Sequence, residues 1–136
     1  MTVVWLGDEV RAQAVGVLVS SLDEFGGRWE TAAKGSVRPG RGVVTGTYRR
    51  SLHSGPPNYN YANDNVRPSH SSPERGSGGG GGAEAEGDSI LMLLGSGMVY
   101  ARKLEERYNV VVGAYEKTAG QMPGIVAKKA KAAGLL

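Results

Sequence analysis

Apolar residues in the first quarter of the chain fall at helical spacing. Val10, Ala14, Val17, Leu18, Leu22, Phe25, Trp29 and Ala32 or Ala33 recur every third or fourth position, the period of one helix face. Asp8 stands where an N-cap belongs, and Glu9 lies in the first turn, where negative charge complements the helix dipole. The spacing predicts a helix over about 8–34. Gly26-Gly27 is the candidate kink, since each glycine costs ~1 kcal/mol against alanine. Val3, Val4, Trp5 and Leu6 ahead of it read as a short strand or extended lead-in.

The pattern then changes. Gly35, Pro39, Gly40 and Gly42 mark a loop that carries Arg38 and Arg41. A strand is expected from about Thr47 to His53, with Tyr48 and Leu52 on one face; Arg50 falls on that face too and suits a partner carboxylate. From about 54 to 87 no period survives. Pro56-Pro57, Tyr59, Tyr61, Pro68, Pro73 and five consecutive glycines from Gly78 to Gly82 give too little apolar surface to offset ordering entropy. This is the expected flexible or extended loop, with Tyr59 and Tyr61 its only aromatic anchors, and removal of residues 76–82 is expected to leave the fold intact.

Order returns at Ile90, Leu91, Met92, Leu93 and Leu94, apolar on both faces, as in a strand covered on both sides. Gly95-Ser96-Gly97 is a turn or bulge, and 98–104 either extends the sheet or begins a helical turn. Asn109 is a plausible N-cap for a last helix with the stripe Val111, Tyr115, Thr118, Met122, Val126 and Ala130, kinked at Pro123. The fold class that follows is α+β. A small, mostly antiparallel sheet carries the N-terminal and C-terminal helices on one face, so its other face calls for an external partner.

Composition narrows the function classes. The 136 residues make one domain, 1–136, and contain no cysteine, which excludes disulfides and thiolate metal sites. The start has no basic n-region, and no apolar run approaches the ~20 residues that span a bilayer, so no membrane partner is expected. A net charge of +3 is ordinary for solubility. Lys128, Lys129 and Lys131 fit dipole complementarity near a helix C-terminus better than a DNA contact.

Catalytic chemistry has little to stand on. His53 and His70 are the only histidines, with no nucleophile elbow and no metal-ligand spacing. Gly95-Ser96-Gly97 after an apolar strand resembles a dinucleotide fingerprint, but Tyr100 stands where the third glycine belongs. Neither an enzyme nor a resident metal or cofactor is expected. A small basic nucleic-acid-binding module, using Arg38, Arg41, Arg49, Arg50 and the C-terminal lysines, is the alternative to an assembly protein.

The order of the motifs carries a family resemblance. Thr45, Gly46, Arg49, Arg50 and Ser51 precede a variable insertion, and Gly97, Tyr100, Ala101 and Glu105 follow it. This order resembles the neck and tail-completion proteins of long-tailed bacteriophages, the minor tail protein Z-like group. Gly42-Val43-Val44 stands where that group commonly has Pro-Val-Asp. The resemblance implies a structural virion protein of the head-tail junction, assembled in the host cytoplasm into a ring, expected to be hexameric. Its neighbours would be head-completion proteins and the tail terminator or tube, with DNA only as passing cargo. The residues expected at subunit interfaces are Ile90, Leu91, Met92, Leu93, Leu94, Arg49, Arg50, Tyr100 and Glu105, and Leu93→Asp is expected to block assembly more than folding.

Overall fold

A computed structural model describes residues 7–39, 42–43, 47–67 and 79–135. The expected lead-in at Val3 to Leu6, together with Arg41, Thr45, Gly46 and His70, lies outside the described residues. The chain is α+β, with a long N-terminal helix, a C-terminal helical region and short, mostly antiparallel strands.

Helix α1 (Gly7–Ser36) carries Asp8 and Glu9 in its first turn and Lys34 in its last. It runs through Gly26-Gly27 without a break. The glycine pair is a contact face instead of a kink: both residues are buried, and the Met92 thioether lies directly over Gly26. Burial begins at Ser21, whereas Val10 and Leu18 are 51% and 40% exposed, so the N-terminal half of α1 overhangs the core. The core gathers Phe25, Trp29 and Ala33 of α1 with Tyr48, Leu52, Val110, Ala114 and Ile125. Trp29 is fully buried, and its indole Nε1 donates to the Val111 carbonyl at 3.0 Å. One side chain thus supplies apolar burial and an internal hydrogen bond together.

Strands β1 (Arg38–Pro39) and β2 (Gly42–Val43) form a minimal parallel pair within the expected loop. Residues expected as a strand from Thr47 instead form helix α2 (Thr47–Ser51), and only Leu52–Gly55 is extended, as β3. The reason is visible in the spacing. Tyr48 and Leu52 are four apart, which satisfies a helix as well as a strand. The Ser51 hydroxyl donates to the Tyr48 carbonyl at 2.6 Å, a bond that suits a helical turn. In this turn Arg49 and Arg50 are exposed while Tyr48 and Ser51 are buried, which removes Arg50 from the inner face.

The apolar run at 90–94 is not one strand. It splits at Met92 into β5 (Ser89–Leu91), which pairs antiparallel with β4 (Glu84–Glu86), and β6 (Leu93–Ser96), which pairs antiparallel with β3. The register sets Leu52 opposite Ser96 and Gly55 opposite Leu93. Leu52, Ser54 and Leu94 therefore turn toward α1 and the core, while His53, Gly55, Leu93 and Gly95 occupy the outer face.

That outer face is covered by the chain itself, which corrects the expectation of an external partner there. The segment expected to be loose folds back after Pro56-Pro57 into a 3-10 turn, Tyr61–Asp64, capped by the Asn60 side chain. The Tyr59 ring sits over Gly55 and the Tyr61 ring over Gly95. The Tyr61 hydroxyl donates to the His53 carbonyl at 2.7 Å and toward the Leu93 carbonyl at 3.3 Å, bridging both strands. Gly97 has to be glycine for this turn to seat, since a Cβ there would stand 2.3 Å from the Tyr61 carbonyl oxygen.

The far end of the same segment is also anchored. Ser54 Oγ donates to the Gly81 carbonyl at 2.9 Å, and the Ala83 amide donates to Asp23 Oδ1 at 2.9 Å. Gly80 has φ +74°, and a Cβ there would fall 1.9 Å from the Asp23 carbonyl oxygen.

The C-terminal region has three helices, α3 (Ala101–Tyr108), α4 (Val110–Thr118) and α5 (Met122–Ala132). A 3-10 turn, Ala119–Gln121, breaks the expected continuous helix, and Pro123 falls at the start of α5, where its missing amide costs nothing. The buried positions are Val110, Ala114, Thr118, Ile125 and Ala130, so the stripe begins one residue earlier than expected and shifts phase at the break. Tyr115 is half exposed, though its ring meets Phe25 edge-on at 6.0 Å.

Because Gly80 and Gly97 sit against backbone, Gly97→Ala is expected to cost about 1–3 kcal/mol, as overpacking does. Excision of Gly80, Gly81 and Gly82 is expected to lower the melting temperature by several degrees, where the sequence pattern alone expects no loss. Denaturant unfolding and thermal melts of the two variants read the outcome directly.

Candidate functional site

The two motif segments that stand out in the sequence meet in space. Ser51 closes α2 and Ser96 closes β6, and the two hydroxyls are hydrogen-bonded across the strand pair. Because Ser51 Oγ already donates to Tyr48 O, Ser96 is the donor in this bond, and its oxygen also accepts from the Met98 amide at 3.1 Å. A chain of bonds thus runs from Met98 through Ser96 and Ser51 to Tyr48. The first motif is joined to the second by structural chemistry.

Glu105 has a similar local role. Its carboxylate accepts from the Val111 amide at 2.7 Å and the Val112 amide at 3.0 Å, satisfying two orphan donors at the start of α4. Asn109, expected to cap that helix, is instead in the left-handed region at φ 50° with no side-chain cap bond. Glu105 is therefore the cap of α4, a role that stands beside the subunit contact the resemblance implies for it.

The remaining interface candidates separate into two groups. Met92 and Leu94 are half-buried and pack on the core, and Leu93 is half-buried on β6. Leu91 is 42% exposed on β5, and Ile90 beside it lines a groove. At the other end of β6, Tyr100 is 52% exposed next to Val99 at 49%, and Arg49 and Arg50 face outward from α2.

The groove lies between the overhanging half of α1 and the β4–β5 hairpin. Val15, Leu18, Leu22, Ala85, Ile90 and Met122 line a volume of about 480 Å³. Arg11 and Asp88 pair across its rim at 3.3 Å, both well exposed. Exposed ion pairs contribute little, so this contact orients the rim more than it holds it.

One cluster has no counterpart in the sequence reading. His53 is buried on β3, with Nε2 2.8 Å from Asp64 Oδ2 and Nδ1 2.9 Å from the Ser54 carbonyl. Tyr59 OH donates to the other Asp64 oxygen, and both tyrosine rings pack against the imidazole, with centroids 5.2 and 4.8 Å away. Both ring nitrogens face acceptors, so both bonds form together when the ring carries two protons. The His53 and Asp64 side chains are 11% and 6% exposed. This arrangement clamps the 3-10 turn onto β3. Asn60 preceding the turn was the available sequence signal.

Among the described residues, no three His, Cys, Asp or Glu side chains cluster as metal ligands, and no helix is long and apolar enough to cross a membrane. Lys129 pairs with Glu24 at 3.8 Å, while Lys128 and Lys131 are exposed on α5.

Burial pushes the Tyr48 phenol well above its usual range, and the Glu105 carboxylate adds to the effect. Burial likewise raises Tyr61, with contributions from Tyr59, Asp64 and Glu30. Compared with protein-family models, curated proteins and solved structures, the chain gives no match.

The buried Tyr48 hydroxyl has no hydrogen-bond partner among the described residues. Tyr48→Phe is therefore expected to leave stability unchanged or raise it by up to about 1 kcal/mol. The neutral phenols are favoured by the fold, so their contribution is complete below about pH 10 and is lost as pH rises beyond it, where the unfolded chain ionises. Tyr48→Phe should flatten that alkaline loss, read by denaturant unfolding on either side of pH 10. Glu105→Ala should cost about 1 kcal/mol, as loss of a helix cap does.

Proposed function

We propose that this chain is a structural subunit of the head-tail junction of a long-tailed bacteriophage, joining copies of itself into a ring between head-completion proteins and the tail terminator or tube. The observation that carries this reading is the apolar surface that the chain leaves open. The groove under the β4–β5 hairpin and the corner at Val99-Tyr100 both remain accessible to water. Open apolar surface rimmed by charge is typical of a site of association. The order of the Thr45 to Ser51 and Gly97 to Glu105 motifs supports the same reading by resemblance.

In this role the chain performs no reaction. Its polar cluster at His53 is closed around the tether, and its serine chain is closed around the strand pair. These serve rigidity, which a ring subunit needs because each interface must repeat with the same angle to close. DNA would pass through such a ring as cargo, and the modest net charge of +3 suits a lining that does not grip phosphates.

Mass photometry and negative-stain electron microscopy of the purified protein should show rings, with six copies expected. Leu91→Asp should keep the wild-type melt and circular dichroism, because Leu91 is already 42% exposed, while lowering ring occupancy at least ten-fold. A strict monomer that is also missing from purified phage particles would overturn the reading.

A further inference from the structure

Strands β5 and β6 follow one another with only Met92 between them, and together they run past β4 and then β3. Each has one partner strand among the described residues, so the stretch 89–96 has a second edge without one. The local geometry fixes which backbone groups face that edge. Glu86 and Ser89 flank a two-residue turn opened by Gly87 at φ 57°, the tight hairpin form whose flanking pair is hydrogen-bonded. Bonding direction alternates along an antiparallel strand, so Leu91 faces Glu84, and Ile90 points its amide and carbonyl away from β4. On β6 the Tyr61 hydroxyl reaches the carbonyls of both His53 and Leu93, which places both oxygens between the strands. Leu94 and Ser96 therefore point outward, and Met92 continues the same alternation.

Among the described residues, no backbone hydrogen bond outside the ladders takes up the amide or carbonyl of Ile90, Met92, Leu94 or Ser96. A row of that kind is a template for a further strand, and edges left open in solution are commonly blunted by lysine, proline or an inward charge. The stretch 89–96 has none of these devices: it contains no charge and no proline, and none of its residues is buried.

We propose that this edge adds the same edge of a second copy of this chain, antiparallel, about a two-fold axis at Leu93. That register pairs all four outward-facing residues, Ile90 with Ser96 and Met92 with Leu94, each twice. Leu93 meets Leu93 at the axis, and no two charges are opposed within the ladder. Leu91, 42% exposed, falls opposite Gly95 and the Tyr61 ring that lies over it. Charge at the ends selects the direction. The hairpin end exposes Glu84 and Glu86, and the far end leads into α3, which exposes Arg102 and Lys103. Antiparallel pairing sets the acidic end of each copy toward the basic end of the other, whereas parallel pairing sets like beside like. The inference is independent of the ring reading. A two-fold contact closes at two copies, and a ring assembled from such pairs needs a second, different contact.

The absence of cysteine makes the test clean. Residues at position 93 of the two copies form a non-hydrogen-bonded pair with Cα atoms about 4.5 Å apart, within disulfide reach. Leu93→Cys, oxidised, should therefore give a covalent dimer by itself. Ser89→Cys should not, since eight residues at ~3.4 Å separate it from its counterpart along the ladder. Leu93→Glu and Leu93→Lys should each weaken self-association at least ten-fold, because each sets like charges together at the axis. A one-to-one mixture of the two should recover association, a result that simple misfolding cannot produce. Amide exchange at Ile90, Met92 and Leu94 in the wild-type chain should slow as protein concentration rises. A disulfide from Ser89→Cys alone, or none from Leu93→Cys while copies still associate, would overturn this interface and leave the ring reading standing. Pairs linked at position 93 without rings would uphold the interface and count against the ring reading. Monomers under every condition would overturn both.

Discussion

Everything in this fold depends on closing β3 onto β6. The chain leaves the strand pair at Gly55 and returns at Leu93, and closing a loop of roughly 40 residues costs ~3 kcal/mol beyond a constant term. Four opposed residues on each strand could not hold such a closure well alone. The chain divides the cost by anchoring both ends of the excursion. Tyr59, Tyr61 and Asp64 fix its beginning on the outer face around His53, and Gly80 to Ala83 fix its end against α1 and Ser54. Both anchors require the backbone to come very close, which is why Gly80 and Gly97 stand where no side chain fits.

The same closure explains what remains uncovered. Tyr59 and Tyr61 seal the outer face of β3–β6, so that surface has no need of a partner. The hairpin β4–β5 lies beyond the seal, against the part of α1 that overhangs the core. A helix of 30 residues is ~45 Å long, longer than the elements available to bury it. α4 and β3 cover its C-terminal half, and the N-terminal half lies between the hairpin and α5, whose Lys129 and Ala132 face Gln13, Gly16 and Val17.

Much of this was legible in the sequence, and the failures have physical causes. The expected helix over 8–34 matches Gly7–Ser36 closely, because seven or more apolar positions in phase leave little ambiguity. The short segment at Thr47 was ambiguous, since a spacing of four fits both periods. The apolar run at 90–94 looked like one doubly covered strand because composition cannot show that Met92 leaves the ladder to lie on Gly26. The described ends of the tether, 54–67 and 79–87, looked loose because they are held by contacts with Asp23, His53 and Gly95, all distant in sequence. The capping role of Glu105 and the clamp at His53 were missed for a related reason. A carboxylate that caps the next helix, and an imidazole that clamps a turn, show their partners only once the chain is folded.

The motif residues divide along the same line, and the division bears on how the chain can vary. Ser51, Ser96, Gly97 and Glu105 are consumed inside the fold, in the hydroxyl chain, the seat of the 3-10 turn and the cap of α4. Changing them perturbs stability first, and association only through it. Arg49, Leu91 and Tyr100 face water at no evident benefit to the isolated chain. Exposed apolar and charged side chains can change with little effect on stability, within about 0.5 kcal/mol, so their effect would fall on whatever the surface meets. In the proposed ring, a chain built this way could adapt to its neighbours by altering the hairpin and the Val99-Tyr100 corner. The anchored closure of β3 on β6 would meanwhile hold both surfaces at a constant separation.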